Sequence, residues 1–221
     1  MNKIVTTESK KSLLGGLHYT TNHTAKMQGI HSLSTSVAIN PHCIERQKNG
    51  NSICSKCFAS TMMKRYSALN ECLISNTEIL TSGILDWDVL PLTPTRYFRF
   101  EAFGDLLNEY QIINYFNIAS KNPNTLFALW TKNPRIIERA LENSDLEKPS
   151  NLQIVLSSPL INVELKSTNF DFVDKIFSVF DKKTAKGIEI NCGARSCLAC
   201  GRCYQPNPNG LKIQHIREIL K

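Results

Sequence analysis

Apolar and polar positions along the chain fall into two rhythms that alternate from about residue 96 onward. The runs "RYFRFEAF" (96–103), "TLFALWT" (125–131) and "NLQIVLSS" (151–158) are short, apolar and rich in β-branched or aromatic residues, which predicts strands. Between them, "LLNEYQIINYFNIASKN" places Tyr110, Ile113, Phe116 and Ile118 on or near one helical face. "NPRIIERALEN" predicts a helix with Asn133 as N-cap and Pro134 at the first helical position. "DFVDKIFSVFD" (171–181) reads as a further helix and "GIEINC" (187–192) as a last strand.

Upstream, "SLSTSVAI" (32–39) predicts a strand that runs into a turn-rich stretch, so Cys43 is expected on a loop. A helix is expected from Ser55 to about Leu80, with Met62, Tyr66, Leu69 and Leu73 at helical steps. That places Cys57 and Phe58 in its first turn and Cys72 on its buried stripe. "LDWDVLPLTPT" (85–95) is a proline-broken connector, and residues 1–30 are polar and poorly periodic, which predicts a loosely packed arm.

Strand and helix in alternation argue for an α/β fold with a largely parallel sheet, in which ligands bind at the carboxyl ends of the strands. Those ends carry Cys43, Cys54 and Cys57, then Glu101, Gly104 and Asp105, then Thr131, Lys132 and Asn133, then Ser157 and Ser158, and last the run "CGARSCLACGRCY" (192–204). Both cysteine groups are therefore expected on one rim.

The chain has 221 residues, enough for one domain with a small appendage, divided here into an arm (1–30), a core (31–191) and a cysteine-rich tail (192–221). Hydrophobic content of 42% suffices for a sizeable core. No apolar run has the length of a membrane span, and "MNKIVTTESKKSLLGG" lacks the apolar stretch of a signal peptide, so a cytoplasmic protein without a membrane partner is expected. In a reducing compartment clustered thiols point to metal or redox chemistry rather than to disulfides. The net charge of +7 is scattered, which reads as a solvated basic surface and keeps nucleic acid as an alternative partner.

Four of the eight cysteines follow the spacing Cys192-x4-Cys197-x2-Cys200-x2-Cys203. Two-residue gaps let neighbouring thiolates surround one inorganic centre, and Gly193 and Gly201 relieve backbone crowding. Such gaps recur in [4Fe-4S] ligation; a four-thiolate zinc site is the alternative. Cys43-x10-Cys54-x2-Cys57 offers three thiolates, to be completed by Cys72 or His42, or left open at one iron for a ligand. Along one unbroken helix Cys72 would stand about 22 Å beyond Cys57, which predicts a buried structural thiol.

The other polar candidates have plainer readings beside the functional one. Glu101 and Asp105 suit an acid/base pair, or a helix cap and an ion pair with a neighbour such as Arg99. Lys132 suits an anionic ligand or solvent, and Ser157 and Ser158 suit backbone satisfaction better than nucleophilic catalysis. His18, His23 and His31 read as surface histidines, with metal ligation the alternative. Tyr97, Phe98, Phe100, Phe116, Phe127 and Trp130 read as core.

The segments "KMQGIHSLSTSVAINPHC", "CSKCF", "RYFRFEAFGDLLNEYQIINYFNIASKNPNTLFALWTKNP", "LQIVLSS" and "SCLACGRCY" resemble the bacteriophage gene-product-88-like family over roughly residues 26–204. More distantly, the layout resembles radical S-adenosylmethionine enzymes. That resemblance implies a partial (βα) barrel, an open cubane on Cys43, Cys54 and Cys57 with Phe58 beside it, and an auxiliary cluster on Cys192, Cys197, Cys200 and Cys203. It also implies a place for the S-adenosylmethionine amine near Glu101, Gly104 and Asp105. The insert of ten residues replaces the three of the common Cys-x3-Cys-x2-Cys motif, and "EAFGD" lacks paired glycines. The function expected is a phage-encoded iron–sulfur protein with one or two clusters and a small-molecule or redox partner; a zinc module that binds nucleic acid is the alternative.

Overall fold

A computed structural model describes residues 16–220. Seven strands form one sheet in the order β1 (Tyr19–Thr20), β2 (His31–Leu33), β3 (Tyr97–Phe100), β4 (Leu126–Thr131), β5 (Leu152–Ser157), β6 (Lys175–Phe180) and β7 (Gln214–Ile219). β1 is antiparallel to β2, and every later pairing is parallel. The expected α/β fold with a mostly parallel sheet is therefore present. The strand order is linear, with β1 and β7 at opposite ends, so the sheet does not close on itself among the described residues.

Successive side chains of a strand point to opposite faces, and the two faces here have different covers. Phe98, Phe100, Phe127, Leu129, Ile154 and Ile176 point to one face. There they pack on α3 (Ser67–Ser82), α4 (Glu109–Lys121) and α5 (Arg135–Glu142) through residues such as Leu80, Tyr115, Phe116 and Ile137. Tyr97, Ala128, Val155, Phe177 and Ile216 point to the other face. Among the described residues no long helix lies there; the cover includes Ile30, Met27, Tyr204 and three cysteines of the C-terminal run.

Several elements differ from expectation, each for a local reason. The strand expected over 32–39 pairs only through Leu33, because side chains then replace the ladder: Thr35 N donates to Glu101, Ser36 N to Thr77 Oγ1, and Ala102 N to Ser34 Oγ. Cys43 lies in a helix, α1 (Pro41–Lys48), rather than on a loop. Asn-Pro is here a helix start, with Asn40 Oδ1 accepting from the His42 and Cys43 amides. The helix expected from 55 to 80 breaks at Tyr66 (φ −126°, ψ 96°) into α2 (Phe58–Arg65) and α3, and Cys57 is the N-cap of α2 rather than in its first turn. Asn133 does not cap α5 by its side chain, which instead donates to the Leu106 carbonyl.

Residues 171–181 are not a helix; Lys175–Phe180 is the strand β6. Residues 187–192 are not the last strand, which is instead β7 in the expected tail. Asn191 and Cys192 hang from the Arg217 carbonyl of β7 by their amides. Residues 1–15 of the expected arm lie outside the described residues. The rest of it joins the fold, with Leu17 and Ile30 buried and β1 paired to β2.

Candidate metal centre

The C-terminal cysteines are placed by three anchors on the face without long helices, the inner face. α6 (Cys197–Cys200) is a single turn capped by Ser196 Oγ and ended by Gly201 at φ +63°. A Cβ at Gly201 would stand 2.4 Å from Tyr97 Oη, so this position requires glycine for space as well as for backbone sign. Tyr204 stacks on Tyr97, ring centroids 4.9 Å apart. Beyond it, the fully buried Lys175 donates to the Gln205 carbonyl at 3.0 Å and to Asn207 Oδ1 at 2.6 Å. Burial draws the Lys175 ammonium down to about 8.

Cys192, Cys197, Cys200 and Cys203 all line one small cavity, about 30 Å³, together with Lys26, Arg202, Tyr204 and Ile216. Lys26 Nζ lies 3.1 Å from the Cys192 carbonyl oxygen and 3.9 Å from its Sγ. Burial raises the thiols of Cys192, Cys197 and Cys203, the last to about 12. Cations work against that rise: Lys26 on Cys192, Arg99 on Cys197 and Cys203, and Lys175 on Cys203. Lys26 and Arg202 line the cavity, and Arg99 and Lys175 stand near enough for their charge to favour the thiolate form of its cysteines. Among the described residues, no three Cys, His, Asp or Glu side chains converge at the spacing of a single-ion site.

This group does not sit on the carboxyl rim, as the sequence suggested. It precedes β7 in the chain and lies across the sheet face, because the strand expected before it is absent.

The first group does occupy the rim. Cys43 and Cys57 pack beside Val37, Ala59, Met63 and Phe103. Burial raises the Cys43 thiol, and the charges of Asp105, Glu101, Cys54 and Cys57 add to that rise, which places all five groups in one neighbourhood. Cys54 lies in the turn Ile53–Lys56, and Cys57 Sγ accepts from Ser60 N at 3.4 Å. The Ile53 amide donates to the Pro159 carbonyl, so residues 40–58 cross the strand ends from β2 to β5. Phe58 is exposed and stacks on Phe103, which stacks in turn on His23.

Cys72 stands apart. Its thiol is raised by burial and by Glu71, and no other cysteine's charge bears on it. His42 Nε2 accepts from Arg46 Nε at 2.8 Å rather than facing a free ligand position. His23 is not a surface histidine: it shares a 2.7 Å hydrogen bond with Ser32 Oγ, and burial followed by the Arg99 charge lowers it to about 4.

Glu101 and Asp105 are both turned inward. Glu101, at φ +57°, accepts from Tyr115 Oη (2.5 Å), Gln111 Nε2 (2.6 Å), Thr35 Oγ1 (2.9 Å) and Thr35 N (3.2 Å). Asp105 accepts from Thr131 Oγ1 (2.6 Å), the Leu106 amide (2.8 Å) and the Lys132 amide (2.9 Å). Gly104 is close-packed against Glu101 and Thr35. Ser158 Oγ donates to the Val163 carbonyl, which is the backbone role expected of it.

Lys26, Arg99, Lys175 and Tyr204 were not among the sequence candidates for a site. Only Tyr204, directly after the last cysteine, carried a local signal.

Geometry and sequence together define a class: an α/β protein whose parallel sheet bears helices on one face and a cysteine-rich cover on the other. The chain matches the gene product 88 family over residues 17–218 and belongs to that family. No curated protein and no solved structure matches it. No helix among the described residues is long and apolar enough to cross a membrane.

Proposed function

We propose that this chain is an iron–sulfur protein in which Cys192, Cys197, Cys200 and Cys203 hold a [4Fe-4S] cluster against the inner face of the sheet. The observation that carries the reading is the shared cavity: four cysteines separated by short loops line it, with Lys26 and Arg202 beside them. When bound, such a cluster supplies one-electron chemistry. The chain's own part is to hold the four thiolates, offset their charge through Lys26, Arg99 and Lys175, and exclude water with Tyr97 and Tyr204.

Cys43, Cys54 and Cys57 are the second part of the proposal, a three-thiol set for another cluster with an iron left open. A radical-enzyme-like architecture is supported by the six sequential parallel strands and by this group following the first of them. The carboxylates argue less for it. Both side chains are buried and every oxygen of Glu101 and Asp105 already accepts a protein donor, so a ligand amine, including that of S-adenosylmethionine, has to compete with bonds already made.

The test is iron, zinc and acid-labile sulfide content of protein purified without air, with its visible spectrum. About four irons and four sulfides per chain, lost on Cys197→Ala with Cys200→Ala, support the first part, and about eight support both. Zinc without sulfide overturns the reading in favour of a zinc module.

A further inference from the structure

Among the described residues, Arg99 is the one lysine or arginine with a buried N–H that has no partner. It projects from the middle of β3 onto the inner face, and its guanidinium carbon stands 4.3 Å over the ring of Trp130 from β4. A guanidinium has five N–H donors and seeks planar acceptors. Here Nη1 meets only the Met27 sulfur at 3.5 Å, and Nη2 only the Glu101 carbonyl at 3.5 Å. Arg99 Nε is buried with no partner, and so is Trp130 Nε1. No carboxylate among the described residues pairs with Arg99.

Two orphaned N–H groups on stacked side chains, one of them a cation, are costly unless an acceptor reaches them. The neighbourhood has the form of a ligand site. Arg99 and Trp130 are only partly buried, on a face whose carboxyl end is crossed by the segment bearing Cys43, Cys54 and Cys57. On one side lie His23, Phe103 and Phe58, and on the other Cys197, Cys203 and Tyr204, near enough to feel the charge of Arg99.

We propose that Arg99 and Trp130 form the seat for the oxyanion, carboxylate or phosphate, of a small ligand held on the inner face between the two cysteine groups. The guanidinium supplies charge and a donor fork, the indole N–H supplies a further donor, and the indole ring holds the guanidinium flat. Arg99 binds the ligand directly. Its charge also acts on the C-terminal cysteines, but the seat does not depend on any cluster, since its donors belong to β3 and β4.

The experiment is calorimetric titration of the full chain with inorganic phosphate and, separately, with succinate, against sodium chloride at matched ionic strength. Trp130 fluorescence in a Trp87→Phe background gives a second readout. Saturable binding of either anion, weakened about tenfold or more in Arg99→Gln, supports the seat, and the anion that saturates tells phosphate from carboxylate. Arg99→Lys keeps the charge and loses the fork, so intermediate weakening is expected. Equal affinity in wild type and in a folded Arg99 variant, or no saturable response to either anion, overturns the proposal. Binding that persists in the Cys197→Ala, Cys200→Ala chain separates this result from the fate of the iron–sulfur reading.

Discussion

Lys26 Nζ lies 2.6 Å from Glu218 Oε1, and through that contact a short turn near the N-terminus is bonded to the last strand. The same ammonium reaches Cys192, so one side chain ties together the arm, β7 and the cysteine cavity. Lys26→Met keeps the stem and removes these bonds. The pair is mostly shielded from water, and urea unfolding is expected to show a loss of about 1 kcal/mol. In protein carrying the proposed cluster, a redox titration is expected to give a lower midpoint potential, since a cation that favours the reduced form is gone. An unchanged potential would place Lys26 outside the influence of the centre.

Gly104 admits no side chain. A Cβ there would stand 2.4 Å from Glu101 Oε2 and from Thr35 Oγ1, and 2.5 Å from the Thr35 backbone oxygen. The backbone atom cannot swing aside as a flexible side chain can. Gly104→Ala is expected to destabilise the chain by about 3 kcal/mol in thermal or urea unfolding. A loss near zero would show that the β2 and β3 ends separate easily.

Burial raises the Glu101 carboxyl to about 7 from 4.5, against its hydrogen bonds from Tyr115 and Thr35, which favour the charged form. Between those values the folded chain holds a proton that the unfolded chain releases. The contribution is fully present below about pH 4.5 and is lost as pH rises through about 7. Glu101→Gln cannot titrate. The wild-type advantage in urea midpoint over this variant is therefore expected to shrink from pH 4.5 to 8, and an advantage growing with pH would mean that the buried group is ionised throughout.

Cys72 serves as an internal control for the other seven thiols. Cys72→Ala is expected to leave iron and sulfide content unchanged and to alter stability by less than about 1 kcal/mol. Iron lost on this change alone would make Cys72 a ligand of the first group.

The central strands and α4 were legible in the sequence because their apolar runs have the right length and end in turn residues. β6 was not. Its apolar residues come in adjacent pairs, Ile176 with Phe177 and Val179 with Phe180, because a parallel strand covered on both sides has no polar alternation. β7 was hidden for the opposite reason: His215, Arg217 and Glu218 make it polar, and it pairs only at the sheet edge. At the candidate site, the carboxyl-end rule brought Cys43, Glu101 and Asp105 together correctly. It misplaced the second cysteine group, whose position follows from β7. The meeting of Arg99 and Trp130 follows from the β3–β4 register, which no local window contains.

The two faces of the sheet differ in how they can come undone. The helical side is built of long elements that fold on themselves. Tyr97, Val155, Phe177 and Ile216 are kept from water largely by residues 192–204, where the longest regular element is a single turn. Any damage that loosens those thiols, oxidation above all, therefore strips a hydrophobic face and yields a sticky species with an intact helical half. Exposure to air is then expected to limit how long the purified chain keeps its fold.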